Sequence, residues 1–157
     1  MLYEDTPKLD VWLKLMLYGI TLALLVAGVV LLFQDTEGAF VMLGEGVFIG
    51  LLFKLVMPRR YQIYSDRFRI VLGGPFAWNI PLSTIKEARV ASGAKAFAYS
   101  GVRFATSSKG VVEIIRSKGC DVVISPSNRG FFLEQLNRAI SRQRSAFSSE
   151  KKPTADS

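Results

Sequence analysis

The stretch "KLVMPRRYQIYSDRFRI", residues 54–70, changes character at its middle. Up to Met57 it continues an apolar run. Pro58, Arg59 and Arg60 then interrupt it, and from Tyr61 bulky and polar residues alternate. The first half has the composition of a helix in lipid and the second the period of a half-buried strand. The chain is therefore expected to leave a membrane here and to begin a small cytoplasmic β-domain.

Upstream lie two apolar runs. Residues 15–33, "LMLYGITLALLVAGVVLLF", are nineteen without a charge, and residues 40–57, "FVMLGEGVFIGLLFKLVM", carry only Glu45 and Lys54. At ~1.5 Å per residue the first run crosses the ~30 Å hydrocarbon core of a bilayer. A cleaved signal sequence is the rival reading; a poor basic leader, the length of the run and the second run that follows disfavour it. The linker "QDTEGA" is so short that the two helices, expected at about 11–33 and 40–57, form an antiparallel hairpin within an N-terminal domain of residues 1–57. Small residues mark close helix approach in lipid. Matching depth from Phe33 and Phe40 predicts contacts of Ala27 with Gly46 and of Ala23 with Gly50. Lys54 can carry its ammonium to the interface on its long stem. Glu45, five residues inside the expected second helix, reads as a carboxyl near the outer interface, with a proton or ion site as the functional alternative.

Charge sets the orientation. The linker has Asp35 and Glu37 and no basic residue, whereas Lys8, Lys14, Arg59 and Arg60 flank the other ends. Basic residues stay cytoplasmic, so an integral inner-membrane protein with both termini in the cytoplasm is expected. Trp12 and Tyr61 fit an aromatic belt there, although Tyr61 equally suits a strand. The overall net charge of +7 is uneven: three Lys/Arg against six Asp/Glu up to Met57, and 17 against 7 from Pro58 onward.

The absence of histidine removes the commonest general base and metal ligand. Cys120, the single cysteine, sits in a "KGCD" turn with no imidazole to activate it and reads as a structural thiol. The carboxylates Asp66, Glu87, Glu113 and Asp121 are scattered without paired spacing, and "GGP" links two strands rather than opening a helix. No enzyme activity, cofactor or metal is expected.

Downstream, seven strands are expected: "RYQIYS", "RFRIVLG", "FAWNIPL", residues 84–91, "SGVRFAT", "VVEIIRS" and "DVVIS". The period then changes, and Phe132, Leu133, Leu136, Ala139 and Ile140 form one helical stripe. Ser125 suits an N-cap with Pro126 in first helical position, which places a closing helix at 126–144 and a disordered tail at 145–157. The layout predicts a seven-stranded bent antiparallel sheet or partly open barrel, residues 58–144, plugged by the helix, with Phe76 and Trp78 in the core.

Over residues 60–136 the pieces "YQIYSDRFRI", "GPFAWNIPLSTI", "YSGVRF" and "VVISPSNRGFFLEQL" resemble the bacterial pleckstrin-homology-like (PH-like) domains, most closely the YyaB-like group of small membrane-tethered proteins. The resemblance covers about half of the chain. It implies the fold and a membrane-tethered layout, and none of the pieces is a catalytic motif.

Two binding functions are compatible with that fold. Domains of this kind accept an extended peptide beside the fifth strand and the C-terminal helix. Here that groove maps to residues 100–106 and 131–136, with Arg103, Phe104, Phe132 and Leu136 as candidate lining and an unidentified protein as partner. The alternative is attraction to anionic lipid through Arg59 and Arg60. A specific headgroup pocket is not expected, because the connection between the first two strands is little more than "SDR". Dispersed basic residues and core-like aromatic alternation argue against nucleic acid.

Overall fold

A computed structural model describes residues 1–92, 94 and 100–150 of the chain. They form two compact units. One comprises Leu9–Met57 with Leu72–Phe76; the other comprises Met1–Lys8, Pro58–Val71 and the residues from Ala77 onward.

The first unit is a helical hairpin of α1 (Val11–Leu31) and α2 (Thr36–Val56), 21 residues each. Both are long and apolar enough to cross a membrane. The second helix begins four residues before the apolar run because Asp35 caps it, its Oδ1 accepting from the N–H of Glu37 at 3.2 Å. Cβ positions built at three glycines trace the helix contact. Gly28 faces Leu43, Gly46 faces Leu24 and Leu25, and Gly50 faces Thr21. Rising numbers on one helix meet falling numbers on the other, so the pair is antiparallel.

The second unit contains two four-stranded sheets rather than one seven-stranded barrel. The first sheet runs in the order β1 (Tyr3–Asp5), β2 (Pro58–Ile63), β3 (Arg67–Leu72), β4 (Ala77–Pro81). Its alternation puts Tyr61, Ile63, Phe68, Ile70 and Ile80 in the core. The second sheet contains β5 (Ile85–Val90), β6 (Val102–Phe104), β7 (Val112–Arg116) and β8 (Val122–Ile124) in the order β5-β7-β8-β6. Pairing is antiparallel except between β6 and β8, which run parallel. Alternation identified these strands, but period two carries no sheet order, and β6 crosses to the far edge of its sheet. The expected linking stretch before β6 falls largely on residues 93 and 95–99, outside the described residues.

Helix α3 (Arg129–Glu150) packs Phe132, Leu136, Ala139 and Ile140 into the core. Phe132 meets the Phe68 ring edge-on at 5.7 Å and the Tyr61 ring at 6.2 Å. The helix starts three residues later than expected. Ser125 is fully buried and its hydroxyl accepts from the N–H of Thr106 at 2.9 Å, so Asn128 takes the capping role, its Oδ1 accepting from Phe131 N–H at 3.3 Å. The helix also continues to Glu150, through the first part of the expected tail; residues 151–157 lie outside the described residues.

Two further expectations fail for one reason. Phe76 is 58% exposed and Trp78 37% exposed, not core, because Trp78 lies on the last strand of its sheet and Phe76 lies in the turn before it.

Candidate binding surface

The expected groove divides into a part that is open to solvent and a part that the chain fills itself. On β6, Arg103 is exposed and Phe104 is half-buried, and β6 stands last in its sheet. Across from it, the Trp78 ring meets the Phe104 ring edge-on at 5.6 Å. The backbone is fixed from below: the Tyr61 hydroxyl donates to the Phe104 carbonyl at 3.1 Å. Burial, its largest influence, pushes the Tyr61 phenol well above its ordinary pKa.

Phe132 and Leu136 do not line a groove. Both are fully buried beneath the sheets, because the helical stripe that carries them is the face α3 turns to the core. The start of α3 is covered by the N-terminal segment Met1–Lys8. The Tyr3 ring packs edge-on against Phe131 at 5.0 Å and lies 6.4 Å from Phe132. Lys8 N–H donates to the Ser125 carbonyl at 2.8 Å, Ser127 N–H donates to the Thr6 carbonyl at 2.9 Å, and the Thr106 hydroxyl donates to the Lys8 carbonyl at 2.7 Å. Asp5, largely buried, accepts from Asn128 N–H at 3.1 Å and Thr6 N–H at 2.7 Å. Burial, and after it the Asp5 carboxylate, raises the Tyr3 phenol above its ordinary pKa. An extended segment of the protein's own chain thus occupies one end of the surface. Sequence reading missed it because β1 is three residues long and its pairing partner on β2 lies more than fifty positions away.

The candidate lipid-facing arginines differ from each other. Arg59 is exposed. Arg60 is exposed but bonds Glu4 at 3.3 Å, and Glu4 also accepts from Gln62 at 2.7 Å. In the hairpin, Gly46 and Gly50 lie at the helix contact, whereas Ala23 is exposed and Ala27 is half-buried. The α1 residues nearest Leu43, Gly46 and Gly50 are Gly28, Leu24, Leu25 and Thr21, centred about 130° around the helix from the expected alanine stripe. Glu45 and Lys54 are both exposed. With α2 beginning at Thr36, Glu45 is its tenth residue of 21 and so sits near its middle rather than near its end.

The carboxylates of the β unit stand apart. Glu113 pairs with Arg89 at 2.9 Å, Asp66 with Arg67 at 3.4 Å, and Asp121 accepts from the N–H of Arg116 at 2.7 Å. Among the described residues no three His, Cys, Asp or Glu side chains are placed to share a metal ion. Cys120 is exposed in the turn between β7 and β8, where Gly119 takes a φ of +88°.

No curated protein and no solved structure matches the chain. The model of one family, the bacterial PH domain, matches residues 59–140, from the start of β2 into α3 and so more than half of the sequence, and the chain belongs to that family.

Proposed function

We propose that the chain is a membrane-anchored, non-enzymatic binding module that displays its PH domain at the cytoplasmic face of the inner membrane. PH domains are generally non-catalytic binding modules, and the matched segment carries that coarse reading. The anchoring rests on the hairpin. Apolar side chains cover its outer faces, Leu22 being 62% exposed and Phe48 64% exposed, and burial in lipid offsets the cost that water would impose on them.

The observation that carries the topology is the pairing of β1 with β2, Tyr3 opposite Ile63 and Asp5 opposite Tyr61. The segment before α1 and the segment after α2 belong to one sheet, so a spanning hairpin has to enter and leave the bilayer through the same face. Lys8, Lys14, Arg59 and Arg60 make that face the cytoplasmic one. Cys120 provides the test. In sealed cells a membrane-impermeant maleimide is expected to leave it unlabelled until the membrane is opened. A cysteine at position 34 in a C120S chain is expected to label from outside, and alkaline carbonate is expected not to extract the protein. Labelling of Cys120 in sealed cells overturns the reading.

Within the domain, β6 is the edge on which an extended peptide would add, with Arg103 and the Phe104–Trp78 pair as its side-chain contacts. Arg103→Glu leaves the bond of the Val102 N–H to the Asp121 carbonyl intact, and it is expected to abolish partner recovery from detergent-solubilised membranes while leaving the protein folded. A second reading, attraction to anionic lipid, is favoured by exposed Arg59 immediately after α2. Under that reading, vesicle binding rises with anionic lipid content and falls with salt.

A further inference from the structure

The turn between β3 and β4, Leu72–Phe76, belongs to the helical unit rather than to the sheet whose strands it joins. Its sequence, "LGGPF", has no polar side chain. The turn is closed on itself by the N–H of Leu72 donating to the Phe76 carbonyl at 3.0 Å. It is fastened to the end of α2 by the N–H of Gly73, which donates to the Leu55 carbonyl at 3.1 Å. That carbonyl belongs to the last turn of the helix and has no acceptor role within it. Gly74 lies so close to Leu55 that a Cβ there would stand 2.6 Å from the Leu55 side chain. Phe76 extends from this base with 58% of its surface exposed.

From these contacts we infer that Leu72–Phe76 is an interfacial lipid-binding turn, with Phe76 lodged at the boundary between headgroups and acyl chains. The inference rests on the membrane-spanning reading of the hairpin. The occupant is lipid because the turn continues the end of a helix whose own outer face is apolar. The hairpin register places the first turn of α1 at the same level. Thr21 faces Gly50 and Leu25 faces Gly46, so the residues facing Leu55 lie near position 16, one turn from Trp12. Trp12 is 48% exposed, and Lys14 and Lys54 are exposed beside that level. An exposed aromatic pair at one end of a span, accompanied by ammonium groups, is the composition of a membrane–water boundary.

Nitroxide labels on the full-length protein in phosphatidylcholine and phosphatidylglycerol vesicles test this. Three single-label proteins suffice: L22C/C120S for the lipid interior, F76C/C120S for the turn, and the native Cys120 for water. The label at 76 is expected to show an oxygen-to-nickel-chelate accessibility ratio several-fold above that at Cys120 and below that at 22. If the label at 76 matches Cys120 while the label at 22 behaves as lipid-exposed, the interfacial turn is refuted and the spanning hairpin stands. If the label at 22 is also water-accessible, the spanning reading fails and takes the turn with it.

Discussion

Asp5 and Asn128 are 123 positions apart in sequence, and the carboxylate of the first accepts the backbone N–H of the second at 3.1 Å. Asn128 caps α3, so a negative charge from β1 lies at the positive end of that helix. The same carboxylate holds the N–H of Thr6. Losing a largely buried charged acceptor costs about 1.5–3 kcal/mol. Asp5→Ala is expected to destabilise the protein by about 2 kcal/mol in chemical denaturation of the detergent-solubilised chain, and Asp5→Asn by less. An unchanged midpoint in Asp5→Ala would mean that the N-terminal strand is not part of the domain.

Tyr61 makes the stability of the β unit depend on alkaline pH. Its folded-state pKa is raised from 10.0, chiefly by burial, so the folded state holds the phenolic proton more tightly than the unfolded chain does. The stabilisation is complete below pH 10 and is lost as pH rises above it, because the unfolded chain then releases a proton that the folded one retains. Thermal melts are expected to show a melting temperature that falls more steeply above about pH 10 in the natural protein than in Tyr61→Phe. At neutral pH, Tyr61→Phe loses the bond to the Phe104 carbonyl and is expected to cost about 1 kcal/mol. Parallel alkaline slopes in the two proteins would exclude Tyr61 as the source.

Arg89 and Glu113 stand opposite each other on β5 and β7, 2.9 Å apart, with the Glu113 side chain 6% exposed and that of Arg89 49% exposed. Breaking a fully buried pair costs about 3–5 kcal/mol, whereas exposed pairs contribute about 0–1 kcal/mol. This half-solvated pair lies between those limits. Arg89→Met is expected to cost about 2 kcal/mol, because the largely buried Glu113 carboxyl loses this partner. Adding Glu113→Gln is expected to recover part of that loss, and a double-mutant cycle with no coupling energy would contradict the assignment.

Legibility in the sequence followed the range of each signal. The two apolar runs, the switch at Met57 and Pro58, and the stripe of Phe132, Leu136, Ala139 and Ile140 are periodicities that a chain displays without its partners. What escaped was set by contacts distant in sequence. Tyr3–Asp5 becomes a strand only because residues 61–63 are there to pair with it. Ser125 has the chemistry of a cap, yet Thr106 uses its hydroxyl, and the helix begins after Asn128 instead. The helical half of the expected groove differs for the same reason: Phe132 and Leu136 share one apolar face, but that face is core, and the chain's own N-terminal segment packs on the start of the helix. Local alternation places Arg103 and Phe104 on a strand, but that β6 stands last in its sheet is a matter of strand order, which alternation does not carry. Trp78, their neighbour across the margin, has the alternation of a core residue but is 37% exposed, because it lies on the last strand of its own sheet.

The helix contact turns on Gly28 rather than on the alanines that small-residue spacing suggested. A Cβ at Gly28 would stand 2.7 Å from the Leu43 side chain and 3.1 Å from the Leu43 backbone nitrogen, whereas one at Gly19 would meet nothing within 4 Å. The side chain of Leu43 can turn aside, but its backbone can yield only if α2 shifts away from α1. Overpacking of this kind costs about 1–3 kcal/mol. At Gly19 the change to alanine only improves helix propensity, by about 1 kcal/mol. A C120S chain with cysteines at 21 and 50 reports the contact, because a Cβ at Gly50 would lie 3.3 Å from the Thr21 side chain. Oxidation in native membranes is expected to join the two cysteines readily, several-fold more slowly once Gly28→Ala is added, and at an unchanged rate with Gly19→Ala. Equal slowing by both alanines would show that the helices do not meet at Gly28.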